Sequence, residues 1–144
     1  MAIDAELWTI PLFAAFEPVA LQELVASASL RNLKPGEVLF RRGEASDGGF
    51  VLTRGVIKLS SREDGRRANE KLVRPVALLG EIALIAPTTR PATGVAQEPS
   101  TLFHIRRAQF LLTLENHGAT AGRVRELVKD RLEQFAETLR YSTE

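Results

Sequence analysis

Short apolar runs alternate with turn residues from residue 30 to residue 105, and this pattern restricts the chain to a mainly β fold. Short strands at such regular spacing are typical of antiparallel sandwiches and barrels. The strand-like runs lie at residues 30–33, 38–40, 50–52, 56–59, 66–73, 92–97 and 101–105. The sequence therefore predicts an antiparallel β-roll, a double-stranded jelly roll, over this region.

Two dipeptides mark corners of the predicted roll. Pro35-Gly36 fits a type II turn, because Pro presets φ and Gly accepts a positive φ. Asp64-Gly65 is a hairpin signal between two strand-like runs. Both corners favour strands that reverse direction, as an antiparallel roll requires.

Helical patterns flank the predicted roll. Apolar residues recur at helical spacing before residue 30, and Pro18 suits the first turn of a helix. After the roll, residues 108–116 predict a short helix and residues 119–139 a long helix with an apolar stripe. Such a stripe could pack on the roll or on the same helix of a second copy.

These patterns predict one domain over residues 1–144. We expect N-terminal helices at 1–29, the β-roll at 30–106 and C-terminal helices at 107–141. The fold class is mainly β with flanking helices.

Composition excludes several classes of function. The net charge is +1, so the chain lacks the basic face expected of a nucleic-acid binder. The Arg doublets at 41–42, 66–67 and 106–107 are interpreted as solvated ends of loops or strands. The absence of cysteine fits a reducing cytoplasm, and no stretch of about 20 apolar residues predicts a membrane span. We expect a cytoplasmic protein.

The segment at residues 80–93 carries the clearest chemical signal, because its small and apolar residues hold one carboxylate and one guanidinium. Arg90 suits a phosphodiester, since its planar fork matches two anionic oxygens. Glu81 suits a sugar hydroxyl, since an ionised carboxylate only accepts hydrogen bonds. One loop could thus hold the phosphate and the ribose of a nucleotide.

This segment resembles the phosphate-binding cassette of cyclic-nucleotide-binding domains, found in catabolite-activator-like regulators and in regulatory subunits of cyclic-AMP-dependent kinase. The resemblance covers almost the whole chain, without a helix-turn-helix part. The features that carry it are Gly80-Glu81, the apolar residues 82–84, Arg90, Ala92-Thr93, the spacing of Gly43, Phe50, Leu52 and Gly55, and Pro35-Gly36-Glu37.

The resemblance implies a role for each residue of the segment. Arg90 would grip the cyclic phosphate, with Pro91, Ala92 and the backbone of Ala83 around it. Glu81 would accept from the ribose 2′-hydroxyl, with Gly80 and Ile82 framing the backbone. An alternative for Glu81 is an acid paired with Arg90 in an empty pocket. Thr89 and Thr93 could serve either the ligand or the turn.

The family's C-terminal helix lies over the ligand and often forms a dimer seam, so residues 119–139 imply a homodimer contact. By ungapped counting, Gln134 and Phe135 would approach the purine base, although Phe135 also fits the apolar stripe. Guanine binders in the family often carry Thr beside the conserved Arg. Since Pro91 stands there, the resemblance favours cyclic AMP over cyclic GMP.

Two positions depart from the family's pattern. Pro91 has no backbone N–H where the family has a donor to the phosphate, which removes about 0.5–1.5 kcal/mol of binding. The turn before the segment reads Val76-Ala77 rather than Gly-Asp, which alters the shape of that turn.

The resulting hypothesis is a regulatory, signal-transducing module that binds a cyclic purine nucleotide and passes the signal to an unknown downstream protein. The alternative is the same fold with a degenerate pocket, acting as a protein–protein adaptor. We expect no enzyme, no metal and no catalytic residue. His104 and His117 stand apart, whereas a cupin-type metalloenzyme needs clustered His and carboxylate ligands.

Overall fold

The computed structural model contains two four-stranded antiparallel sheets with helices at both ends of the chain. It describes the backbone of residues 5–61 and 69–142, and the side chains of residues 6–61, 69–131 and 133. The strands are β1 Ser29–Leu33, β2 Val38–Phe40, β3 Gly48–Arg54, β4 Ile57–Ser61, β5 Asn69–Val73, β6 Ala77–Leu79, β7 Thr93–Ala96 and β8 Ser100–Arg106. The helices are a 3₁₀ helix Ala5–Thr9, α1 Pro11–Ala14, α2 Pro18–Ser27, a 3₁₀ turn Ile82–Leu84, α3 Arg107–Asn116 and α4 Gly118–Ser142.

The two sheets confirm the predicted β-roll. One sheet has the strand order β1-β8-β3-β6 and the other β2-β7-β4-β5, with every neighbouring pair antiparallel. Strand β8 pairs with β3 and β1, so it joins the end of the roll to its middle and its beginning. The segment between β6 and β7 crosses from the first sheet to the second. That crossover contains residues 80–92.

The structure confirms the turn predicted at Pro35-Gly36 and corrects the interpretation of Val76-Ala77. Gly36 has φ +87°, and the Glu37 N–H donates to the Lys34 carbonyl at 3.0 Å, which confirms the predicted turn. Asp64-Gly65 lies outside the described residues. Ala77 belongs to β6 and pairs with Leu52, so the interpretation of Val76-Ala77 as a turn was wrong at its second residue.

Two apolar clusters divide the core. One lies between the sheets and includes Phe40, Phe50 and Leu102. The other packs the helices on the first sheet and includes Phe13, Phe110 and Val124. Strand β3 contributes to both, because alternate residues of a strand face opposite sides.

Helix α2 starts at Pro18 as the sequence predicts, and α3 and α4 each start one residue before the predicted position. Pro11 and Pro18 occupy the first turns of α1 and α2, where a missing N–H costs nothing. The first turns of α4 are held against the N-terminal helices: the Thr120 hydroxyl accepts from the Glu17 N–H at 3.0 Å, and Arg123 Nε donates to the Ala15 carbonyl at 2.8 Å. Among the described residues, no helix is both long and apolar enough to cross a bilayer.

Candidate ligand-binding site

The crossover segment is held in place at both ends. Strand β6 ends at Leu79, and Gly80 then turns the chain with φ +85° into the 3₁₀ turn. At the far end, the Arg90 N–H donates to the Glu44 carbonyl, and the Gly43 N–H donates to the Arg90 carbonyl, both at 2.8 Å. Arg90 is thus fixed by its backbone to the loop between β2 and β3.

Gly80 is the point where the two ends of the segment meet. A Cβ atom added to Gly80 would lie 2.8 Å from Nη1 of Arg90, closer than ordinary side-chain contacts allow. The guanidinium therefore sits beside the residue that precedes Glu81. The structure places the guanidinium that the sequence assigns to the phosphate next to the backbone that leads into Glu81, the residue assigned to the ribose.

Replacing Gly80 by Ala tests this close approach. The positive φ alone costs an L-residue about 1–2 kcal/mol, and the added methyl displaces the Arg90 side chain. We expect Gly80→Ala to lower the free energy of unfolding by at least about 1 kcal/mol and to weaken any ligand held by Arg90. Urea unfolding measures the first effect. The matched control is Gly122→Ala, since Gly122 lies within α4 with open space around its Cα. Equal stability of Gly80→Ala and the parent would contradict the proposed contact.

The Arg90 side chain is buried, with 6% of the residue exposed. Its guanidinium carbon lies over two aromatic rings, 4.7 Å from the centroid of Phe40 and 5.4 Å from that of Phe50. These contacts orient the cation without using its N–H groups. The side chain makes no hydrogen bond or ion pair with any residue that the structure describes, so its donors are available to an anion.

The electrostatic surroundings of Arg90 are mixed. Burial lowers the pKa of Arg90, the nearby charge of Asp47 raises it, Arg107 lowers it and Glu44 raises it, with a net downward shift. An arginine stays protonated at neutral pH even so. Asp47 is itself engaged: its Oδ1 lies 2.9 Å from Nε2 of His104. Burial tends to raise the pKa of Asp47, but the hydrogen bond and charge of His104 produce a net lowering.

The two carboxylate oxygens of Glu81 have different surroundings. Its Oε1 is buried and accepts no hydrogen bond from any described residue. Its Oε2 lies 3.8 Å from Nη1 of Arg131 on α4, too far for a hydrogen bond and near enough for an ion pair. Among the described residues, the pairing of Glu81 is therefore with Arg131 and not with Arg90. An unpaired buried acceptor is costly unless something donates to it.

The remaining residues of the segment differ in their exposure and hydrogen bonding. Ile82 and Ala83 form the 3₁₀ turn, and their N–H groups donate to no described residue. Pro91 is exposed and Ala92 is partly buried. The hydroxyl of Thr93 accepts from the Arg42 N–H at 3.0 Å, which supports the turn-stabilising role for that residue.

The residues assigned to the base cannot be placed. Gln134 and Phe135 belong to α4 by their backbone, but their side chains lie outside the part of the chain that the structure describes. Their role stays a prediction. The described contacts between α4 and the segment include the Arg131–Glu81 ion pair and the apolar cluster that contains Leu84 and Val124.

Sequence reasoning missed the residues that support the segment. Arg107 was interpreted as part of a solvated doublet, and that was wrong: its guanidinium donates to the Ala83 carbonyl and to Ser46. A signal was present, since Arg107 directly follows an apolar strand and opens a helix. Phe40 and Phe50 were recognised only as strand residues, because their contact with Arg90 depends on the fold.

The two histidines contact other side chains of the fold. His104 stacks on Phe50 with the ring centroids 4.6 Å apart and contacts Asp47, while Nε2 of His117 lies 3.4 Å from Oε2 of Glu23. Among the side chains of residues 6–61, 69–131 and 133, no three from His, Cys, Asp or Glu group in a way that could hold a metal.

Known proteins share this sequence pattern and this fold. The chain is 31% identical over 101 residues to a cyclic nucleotide-gated potassium channel of Mesorhizobium japonicum, which covers 70% of the chain and 27% of the channel. It is 32% identical to the N-terminal domain of a transcriptional regulator from Streptomyces coelicolor, with a TM-score of 0.80 and coverage of 90% of this chain and 91% of that one. A cyclic nucleotide-binding-like protein from Brucella abortus is 37% identical, with a TM-score of 0.69 over 78% of this chain and 99% of that one.

The extent of these matches defines what they show. The chain spans about a quarter of the length of the curated channel, so the match concerns one domain of that protein. The sequence model of the cyclic nucleotide-binding domain matches residues 30–117, which is more than half of the chain and includes all eight strands but the first residue of β1. The chain therefore belongs to the cyclic nucleotide-binding domain family.

Proposed function

We propose that this domain binds a cyclic purine nucleotide, with cyclic AMP as the favoured ligand, and acts as a regulatory module. One observation carries the proposal: a buried guanidinium without a described polar partner lies beside Gly80, and the next residue, Glu81, has a buried carboxylate oxygen that accepts no hydrogen bond from the described residues. These two groups need an anion and a hydroxyl donor respectively. A ribose 3′,5′-cyclic phosphate supplies both at short separation.

The phosphate contact is assigned to Arg90. The guanidinium is already held against the rings of Phe40 and Phe50, so little conformational entropy is lost when it binds an anion. A bidentate contact from a buried arginine is stronger than one at the surface, since water screens it less. The N–H groups of Ile82 and Ala83 supply further donors at the start of the 3₁₀ turn.

The ribose contact is assigned to Glu81. A 2′-hydroxyl would donate to Oε1, which satisfies the buried acceptor. Gly80 permits the approach, because any side chain there would meet Arg90. The assignment predicts discrimination between ribose and deoxyribose.

Pro91 limits the affinity of the site. It follows Arg90 and has no N–H to offer to the phosphate. We expect Pro91→Ala to tighten binding of cyclic AMP about 2- to 10-fold, which corresponds to one recovered hydrogen bond of about 0.5–1.5 kcal/mol. Isothermal titration calorimetry measures this change. Exposed Pro99→Ala is the control and should bind as the parent does. An unchanged or weaker affinity of Pro91→Ala would show that the lost donor is not limiting.

Coupling to the rest of the protein is assigned to α4. Its first turns are held against the N-terminal helices by Thr120 and Arg123, whereas Arg131 reaches the ribose-binding carboxylate. A nucleotide that engages Glu81 alters the Glu81–Arg131 pair, so ligand and helix position are linked. The ligand shifts the population toward whichever helix position it binds better.

The output of the module is also part of the proposal. The Mesorhizobium channel and the Streptomyces regulator indicate two settings in which such domains occur within longer proteins. We propose a cytoplasmic, non-enzymatic role in which α4 contacts a second copy through residues 119–139 or a downstream protein.

Thermal unfolding with a nucleotide panel tests the proposal. A ligand that binds only the native state raises the unfolding midpoint. We expect millimolar cyclic AMP to raise the midpoint more than cyclic GMP, and linear 5′-AMP to leave it unchanged. No shift with either cyclic mononucleotide or with cyclic dinucleotides would favour the adaptor role.

A further inference from the structure

The guanidinium of Arg107 lies outside the segment of residues 80–93 and is connected to both of its arms. One arm is the 3₁₀ turn, and the other is the stretch that leads to Arg90. Arg107 is the first residue of α3 and is partly buried. Its Nε donates to the Ala83 carbonyl at 2.8 Å, which holds the 3₁₀ turn. Its Nη2 donates to the carbonyl of Ser46 at 2.8 Å and to the Ser46 hydroxyl at 3.0 Å.

Ser46 extends the connection to the arm that carries Arg90. The Ser46 N–H and hydroxyl donate to the Thr88 carbonyl at 2.9 Å and 2.8 Å, and the two hydroxyls lie 3.0 Å apart. Ser46 is 8% exposed, so these bonds are shielded from water. Ala45 and Thr89 form an antiparallel bridge next to them. The arm before Arg90 is therefore held by hydrogen bonds to Ser46, and Ser46 is held by hydrogen bonds from Arg107.

The position of Arg107 is itself fixed by the backbone. Its N–H donates to the Asp47 carbonyl at 2.6 Å, at the place where β8 pairs with the start of β3. The fork of one arginine thus connects two chain segments, the 3₁₀ turn and the loop before β3, to the start of α3 where Arg107 lies. A lysine could not replace it, because a single ammonium lacks the planar fork.

We propose that Arg107 is the positioning residue of the phosphate site, holding the two arms of the segment at the separation that Arg90 and the 3₁₀ turn need to grip one phosphate. It acts through Ala83 and Ser46 and not through contact with the ligand. The proposal rests on the proposed function, because the affinity that it sets is the affinity for a cyclic nucleotide.

Three variants test this in the full chain, with cyclic AMP as the ligand. We expect Arg107→Ala to weaken binding about 10- to 100-fold, the range seen when residues that orient ligating groups are removed. Arg106→Ala is the matched control and should bind as the parent does, since Arg106 is the exposed neighbour. Arg107→Lys keeps the charge and loses the fork, so it should not restore the affinity.

Two further measurements separate positioning from general stability. Amide hydrogen exchange of the ligand-free protein should accelerate about 10-fold or more in Arg107→Ala at Ser46, Leu84 and Arg90, while amides in the β4–β7 pair stay protected. Combining Ser46→Ala with Arg107→Ala should weaken binding no more than Arg107→Ala alone, because both changes break one connection. If Arg107→Ala does not fold, Arg107→Gln takes its place with the same expectations.

Parent-like binding by Arg107→Ala, full recovery in Arg107→Lys, or acceleration spread evenly over the sheets would each overturn the proposal. A parent protein that binds no cyclic nucleotide overturns the proposed function instead. In that case exchange in the ligand-free protein still decides whether Arg107 holds the segment, and unchanged protection at Ser46, Leu84 and Arg90 would reject it.

Discussion

Arg90→Ala is expected to weaken binding of cyclic AMP by about 100-fold or more while the domain stays folded. A bidentate contact comprises two charge-assisted hydrogen bonds of about 1.5–3 kcal/mol each, and every 1.4 kcal/mol is about tenfold in affinity. The loss of stability should be smaller, about 1–2 kcal/mol, because the described contacts of the guanidinium are with the rings of Phe40 and Phe50. Calorimetric titration and urea unfolding measure the two quantities on the same samples.

Two further variants test whether the loss of affinity is specific to the Arg90 guanidinium. Arg41→Ala removes an exposed arginine from the neighbouring loop and should leave the affinity unchanged. Arg90→Lys keeps a charge but cannot form the bidentate contact, so it should recover only part of the binding. If Arg90→Ala keeps its affinity, or if Arg41→Ala loses as much, then Arg90 does not bind the phosphate.

Glu81→Ala should weaken cyclic AMP about 10- to 100-fold, because a hydrogen bond to a carboxylate is worth about 1.5–3 kcal/mol. The same loss should appear when the parent binds 2′-deoxy cyclic AMP, which lacks the donor. Combining the two changes should then cost little more than either one, since both delete a single contact. Calorimetry with both nucleotides and both proteins completes the cycle.

The control for this cycle is Glu98→Ala, which removes an exposed carboxylate remote from the segment. It should bind both nucleotides as the parent does. If the binding free energies lost through Glu81→Ala and through the deoxy ligand simply add when the two changes are combined, then Glu81 does not accept a hydrogen bond from the 2′-hydroxyl. The role of the Glu81 carboxylate would then be its ion pair with Arg131.

Local sequence predicted most of the architecture. Strand periods, Pro35-Gly36 and the two helical Pro positions are short-range signals, and the structure confirms the β-roll and its flanking helices. Strand β6 was missed because Ala77–Leu79 is short and begins two residues after Pro75. Its strand character comes from pairing with β3, a long-range contact that the residues do not announce.

The site was predictable only in part, for the same reason. Arg90 and Glu81 could be chosen by their chemistry, since they are the two charged residues of one short apolar segment. The rings beneath Arg90 come from β2 and β3, and Arg107 comes from beyond β8. Partners so far apart in sequence meet only through the sheet topology.

Arg131 illustrates a further limit of sequence reasoning. Periodicity defined the apolar stripe of residues 119–139 and gave Arg131 no role, yet Arg131 forms an ion pair with Glu81 of the segment. A charged position on a long helix has many available partners, and the docking of α4 by Thr120 and Arg123 decides which one it meets.

A crystal structure of the domain with cyclic AMP tests the central claim most directly. We expect the cyclic phosphate within about 3.2 Å of the Arg90 guanidinium nitrogens and the ribose 2′-oxygen within the same distance of Glu81 Oε1. A nucleotide bound elsewhere, or crystals at saturating nucleotide with nothing beside Arg90, would contradict it.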